Sequence, residues 1–289
     1  MSDSLRRFLV ENTPVRGAWV RLDKTCREVL SRHDYPPVLQ RMLGELLAAT
    51  SLLASNLKFK GSTIVQVQSP GPLSLLVVEC TDQRGMRAIA KWNGELDESA
   101  DLQRLAPNGR CVITLDPRDA ARMYQGIVAM ESGSIAELLE HYMQNSEQLA
   151  TRLWLAADGT TAAGLMLQKL PEESAGGNTD EDWNRVSLLA STVRSDELLS
   201  LGAEGLLTRL FADEEVRLFG DLPVAFWCGC SETRVANALL LIGQSEVEEV
   251  LAEQGRLEVA CEFCNRKFSF DRPRALALFA QPDTAPWVH

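Results

Sequence analysis

The chain has 289 residues, of which 45 % are hydrophobic and 24 % charged, with a formal net charge of −11. Such a length suits two domains, and the composition is that of a soluble globular protein. The acidic balance argues against a surface that neutralises nucleic-acid phosphates or sits on anionic lipid.

The start, MSDSLRRFLVENTPVRG, has no apolar run long enough for a signal peptide. The longest apolar stretch, 36–57, is broken by Arg41 and Glu45, which predicts a core helix and no membrane span. The expected compartment is therefore the reducing cytoplasm, where paired cysteines serve as metal ligands or redox sensors more often than as standing disulfides.

In chain order, VRGAWVRLD (15–23) reads as a strand, followed by a short helix through Val29 and Leu30. A long helix follows over 36–58, with Pro36 and Pro37 in its first turn and Val38, Met42, Leu46, Ala49 and Leu53 along one apolar face. Strands are predicted at 62–68, 73–80, 85–92, 111–115 and 124–130, the first two separated by Pro70-Gly71-Pro72. Ser134 and Glu137 form a capping box ahead of Leu138, Leu139 and Tyr142. Two further strands, 149–157 and 162–170, join at Asp158-Gly159. The fold class read from this order is α+β. It comprises an N-terminal sheet-and-helix core domain (1–176), a helical linker region (177–224) and a small C-terminal four-cysteine module (225–289).

The stretch 171–183 is acidic and rich in small residues, as a linker is. Amphipathic helices are predicted beyond it at 182–194, 196–201 and 203–212, with Ser195 capping the second and Gly202 setting off the third. Leu198, Leu199, Leu206, Leu207, Leu210 and Phe211 must bury against something. A packed helical subdomain is the plain reading, and a surface that can be uncovered is the sharper one. In the last segment, helices at 231–243 and 245–255 are opened by Ser231 and Ser245 and closed by Gly243 and Gly255. A module this small needs a cross-link or a metal to be stable.

That module carries Cys228-Gly229-Cys230 and, beyond residues 231–260, Cys261-Glu262-Phe263-Cys264. The layout is that of a tetrahedral zinc site, with an iron–sulfur cluster as the weaker alternative. Asn265 can take the positive φ that turns amides toward the sulfurs, and Phe268 and Phe270 are placed to pack beneath. Most such sites only hold a small fold together. Trp227 beside the first pair resembles a thioredoxin-type motif, but one intervening residue is the wrong spacing, and no helix dipole is evident to activate the first thiol. A Zn–S bond of about 2.3 Å sets the sulfurs about 3.8 Å apart, already deprotonated and open to oxidants. A Cys-x-Cys disulfide closes a small strained ring that is easily reduced, so staple and reversible switch both remain open.

Cys26, Cys80 and Cys111 read as buried small hydrophobes. His33, His141 and His289 have no neighbouring nucleophile that would make a triad, and no P-loop or dinucleotide fingerprint occurs. Acidic residues outnumber basic ones in 225–289, which disfavours a DNA-reading zinc finger.

With these residues placed, the whole chain resembles the bacterial heat-shock protein 33 family of redox-regulated holdase chaperones. The resemblance rests on the cysteine signature together with VRGAWVRL, HDYPPVLQRMLGELLAATSLLASNLKFKG, GPLSLLVV, YQGIV, SEQLATRL, DELLSL and the final VH. Asn265 departs from it, standing where the family usually has glycine. The resemblance implies one zinc ion on Cys228, Cys230, Cys261 and Cys264 in the reduced, inactive state. It also implies disulfides Cys228–Cys230 and Cys261–Cys264 on oxidation, with loss of the metal and unfolding of the module and linker. Unfolding client proteins would then bind without ATP, the activated chain would be a homodimer, and clients would pass to ATP-dependent foldases. No catalytic residue, membrane or nucleic acid enters this cycle. Two other readings stand beside it: a thiol–disulfide oxidoreductase using Cys228 and Cys230, and a constitutive adaptor with a purely structural zinc module.

Overall fold

The computed structural model describes residues 3–56, 60–118, 123–171 and 179–280. The chain forms two compact units, Met1–Trp227 and Cys228–His289. Both contain sheet and helix, so the α+β class holds.

The first unit is organised around one helix. α2 (Pro37–Ala54) packs on β2 (Val15–Leu22), β8 (Thr151–Ala157) and β9 (Ala162–Lys169), and on its other side on β3 (Gly61–Gln68), β4 (Leu73–Thr81) and β5 (Gly85–Trp92). A helix between two sheets must be apolar on more than one stripe, and Val38, Leu39, Met42, Leu43, Leu46, Leu47 and Leu52 are all buried. No helix among the described residues is long and apolar enough to cross a membrane.

The first sheet adds β1 (Ser4–Val10), β10 (Val216–Leu218) and β11 (Leu222–Pro223), in the order β10-β1-β2-β9-β8, with β11 also on β1. The second adds β6 (Arg110–Pro117), β7 (Tyr124–Ala129) and β12 (Ala225–Phe226), in the order β12-β5-β4-β3-β6-β7. All pairings are antiparallel except that of β12 with β5. α1 (Lys24–Leu30), α3 (Leu102–Leu105) and α4 (Ile135–Asn145) complete this core. At α4 the Ser134 hydroxyl accepts the Glu137 backbone N–H, which is the Ser134 half of the predicted capping box.

The far face of the first sheet is covered by α5 (Thr179–Ala190), α6 (Ser195–Ser200) and α7 (Ala203–Leu210). Val186, Ala190, Leu198, Leu206, Leu207, Leu210 and Phe211 bury there against Phe8, Val10, Val15, Trp19, Leu165 and Leu167. This is what the leucine-rich segment packs on. α5 begins at Thr179, ahead of the predicted start, so Asp180 to Trp183 are helical and not linker; residues 172–178 lie outside the described set. Ser195 is the first helical residue of α6 and Arg194 holds the cap position, its N–H bonded to Glu197 Oε2 at 3.0 Å.

The second unit holds α8 (Glu232–Ile242), α9 (Gln244–Gln254), the hairpin β13 (Arg256–Ala260) and β14 (Lys267–Asp271), and α10 (Arg272–Phe279). Ser231 caps α8 as expected, its hydroxyl accepting the Arg234 N–H. The cap of α9 is Gly243 and not Ser245, and that glycine also ends α8. Gly255 ends α9 at φ 73°, a left-handed conformation that glycine adopts at little cost. The core is small: Leu239, Val247, Leu251, Leu257, Phe268, Phe270 and Ala275.

Candidate metal centre

The first cysteine pair lies just before α8, and the second sits in the turn of the β13–β14 hairpin. That turn is closed by two backbone bonds, Asn265 N–H to the Cys261 carbonyl at 2.8 Å and Cys261 N–H to the Arg266 carbonyl at 2.9 Å. Asn265 has φ 59°, the conformation required of it for the chain to fold back around the sulfurs. Phe268 and Phe270 are buried in the core that Cys230 and Cys261 pack against.

Folding brings all four sulfurs together within 4.8 Å of one another. Cys228 Sγ lies 3.7 Å from Cys261 Sγ, and Cys230 Sγ lies 3.4 Å from Cys264 Sγ. These spacings are close to the edge of a tetrahedral thiolate site, about 3.8 Å. Burial, followed by the neighbouring thiols, pushes the Cys230 thiol up, and burial also leads the upward shift of Cys264. Four such sulfurs cannot all carry charge without a cation among them. Donor type, number and spacing therefore fit a metal ion. No other described cluster of three or more histidine, cysteine or acidic side chains has such a geometry.

The remaining predicted candidates lie apart from this cluster. Cys26, Cys80 and Cys111 are buried in α1, β4 and β6, and burial raises each thiol to about 12, so they are chemically quiet. His141 meets Ser132 Oγ at 3.2 Å through Nδ1, and the His33 ring lies 5.4 Å from that of Tyr35 with the planes tilted by 57°; His289 lies outside the described residues. Trp227, whose place beside the first pair resembles a thioredoxin-type motif, is 48 % exposed, with its backbone N–H bonded to the Met86 carbonyl. The hairpin that carries the second pair was not predicted, although Leu257 and Val259 alternate with polar residues on one strand, and Phe268 and Phe270 do so on the other.

A family model described as Hsp33 protein matches residues 3–271. The chain belongs to the Hsp33 family. The 33 kDa chaperonin of Methylobacillus flagellatus is 52 % identical over 287 residues, covering 99 % of this chain and 97 % of that protein. The 33 kDa chaperonin of Chromobacterium violaceum is 48 % identical over 278 residues, covering 96 % and 94 %. The crystal structure of a 33 kDa chaperonin (heat shock protein 33 homolog) from Thermotoga maritima superposes with a TM-score of 0.82 over 96 % of this chain and 98 % of that one. At 21 % identity that likeness speaks for the fold alone. Membership in the Hsp33 family, with relatives named chaperonins, supports a chaperone role and agrees with a non-enzymatic one.

Proposed function

We propose that this chain is a redox-regulated, ATP-independent holdase, inactive when reduced and activated by oxidation. The observation that carries the reading is the set of four thiols, all within 4.8 Å of one another, on a unit whose own apolar core is small. Zinc on Cys228, Cys230, Cys261 and Cys264 would supply the positive charge that keeps the four sulfurs ionised and the unit folded.

Under oxidant, each Cys thiolate pair gives two electrons to one peroxide, which takes two protons from solvent, forming one S–S bond and two waters. A disulfide sulfur is a poor donor, so the pairs Cys228–Cys230 and Cys261–Cys264 no longer form a ligand set. A unit with so little buried apolar surface then loses its fold. We assign the exposed binding surface to the face under α5, α6 and α7. Those helices bury seven large or small apolar side chains against the first sheet, and lifting them uncovers Phe8, Val10, Trp19 and Leu165. Unfolding polypeptides are the clients for such a surface. A homodimer in the active state, and release of clients to ATP-dependent foldases, complete the reading, with the cytoplasm as its compartment.

The test is suppression of client aggregation at elevated temperature by zinc-loaded reduced protein and by peroxide-treated protein. Strong suppression only after peroxide is expected. Equal suppression by both would contradict the switch and leave the zinc unit as a staple.

A further inference from the structure

A second feature of the first unit is unconnected with the thiols. Arg16 of β2 and Gln168 of β9 are register partners, and both point to the face of the first sheet that meets α2. Gln168 is only 2 % exposed and is held at both ends of its amide: its Oε1 accepts from Arg16 Nε and Asn56 Nδ2, both at 3.0 Å, and its Nε2 donates to Thr151 Oγ1 at 3.3 Å. The Arg16 guanidinium is thus anchored by Nε alone. Among the described residues its terminal nitrogens make no hydrogen bond, and no carboxylate lies within ion-pair distance.

Arg16 lines a cavity of about 130 Å³ at this end of the inter-sheet core. Its walls are largely apolar, from Leu53, Ile113, Leu115 and Leu149. Thr63 also lines it, and the Thr63 hydroxyl is buried with no partner among the described residues. At another wall Glu147 accepts the Tyr142 hydroxyl at 2.6 Å and forms no ion pair among the described residues. Burial, and then the charge of Arg7, lower the pKa of Arg16, so the guanidinium is held without a compensating anion. A partly buried cation beside an apolar cavity of this size has the makings of a site for a small amphipathic anion. The cavity is comparable to engineered ones of about 150 Å³ that admit benzene.

We infer that this cavity binds a small monocarboxylate, its carboxylate on the terminal nitrogens of Arg16 and its short apolar chain against Leu53, Ile113 and Leu115. Glu147 sets the charge limit: a second carboxylate, or a dianionic phosphate, would meet it across the cavity. The inference does not rest on the holdase reading, and affinity is its readout.

The probe is hexanoate, titrated into the full-length, reduced, zinc-loaded protein and followed by protein NMR shifts and calorimetry. Hexanoate should bind, while 1-hexanol, hexylammonium and the dicarboxylate adipate should bind at least about tenfold more weakly. Arg16→Gln should cost about tenfold or more in hexanoate affinity. Leu115→Phe, which fills the cavity from a half-buried wall, should abolish binding while thermal unfolding stays cooperative. Glu147→Gln should restore adipate toward hexanoate. Failure of hexanoate to bind at millimolar concentration would overturn the inference. So would equal binding of 1-hexanol, or unchanged affinity in a folded Arg16→Gln protein.

Discussion

The Phe8 ring of β1 lies 6.1 Å from the ring of Phe211, just past α7, with the planes tilted by 43°. Phe8 reaches that position because its cross-strand partner is Gly17: a Cβ there would fall 2.1 Å from the Phe8 ring. The pair joins the covering helices to the sheet beneath. Phe211→Ala should weaken that cover by about 3 kcal/mol. In reduced, zinc-loaded protein the variant should bind more hydrophobic dye and suppress aggregation without oxidant. A variant as dye-silent and inactive as the parent would mean that these helices do not hold the chaperone closed.

Removing one sulfur tests the metal centre itself. Serine is not ionised at neutral pH, so Cys264→Ser should lower zinc affinity by about 100-fold or more. Because Cys264 lies in the second unit, calorimetry should show loss of that unit's transition while the transition of Met1–Trp227 persists. Undiminished zinc content would remove Cys264 from the ligand set.

Much of this was legible in the sequence, for identifiable reasons. The cysteine cluster follows from spacing, and Asn265 from its tolerance of positive φ. The strands from 61 to 129 declare themselves by β-branched runs between turns. β1 was missed because both faces of its sheet are buried: Leu5 points to the α2 core while Phe8 and Val10 point to the linker helices, which erases simple alternation. β10, β11 and β12 span only two or three residues and exist through their partner strands, so no local pattern marks them. What the leucine-rich helices pack against was hidden with β1. The Arg16 cavity depends on side chains from both sheets and two helices, which spacing alone cannot bring together.

Asp3 caps a helix from outside its own sequence. Its carboxylate accepts the backbone N–H groups of Asp23 at 2.6 Å, Lys24 at 2.8 Å and Thr25 at 2.5 Å, and the Thr25 hydroxyl at 2.5 Å. The residue at the local cap position of α1, Asp23, makes no side-chain cap bond. Asp3→Ala should therefore cost about 2 kcal/mol, and Asp3→Asn, which keeps one acceptor oxygen, less. The midpoint of urea unfolding measures both, and equal midpoints for Asp3→Ala and the parent would exclude the capping role.

Glu45 of α2 gives a pH dependence. Burial raises its carboxyl from 4.5 to about 7, with Arg41 opposing the shift. Between those values the unfolded chain is ionised while the folded one keeps its proton. The contribution to stability is thus complete below about pH 4.5, falls as pH rises toward 7, and is flat beyond. Glu45→Gln should match the parent near pH 4 and exceed it at pH 8 by about 3 kcal/mol. A parent–variant difference that is the same at both pH values would show that Glu45 does not titrate in this window.

Zinc release during oxidation decides between switch and staple most directly. Reduced, metal-loaded protein is mixed with peroxide beside a chromogenic zinc chelator, and chelator absorbance is followed alongside aggregation suppression in the same samples. One equivalent of zinc should appear with the loss of the four thiols, and chaperone activity should rise over the same interval. Full activation with zinc still bound, or complete zinc loss with no gain in activity, would contradict the redox-switch reading.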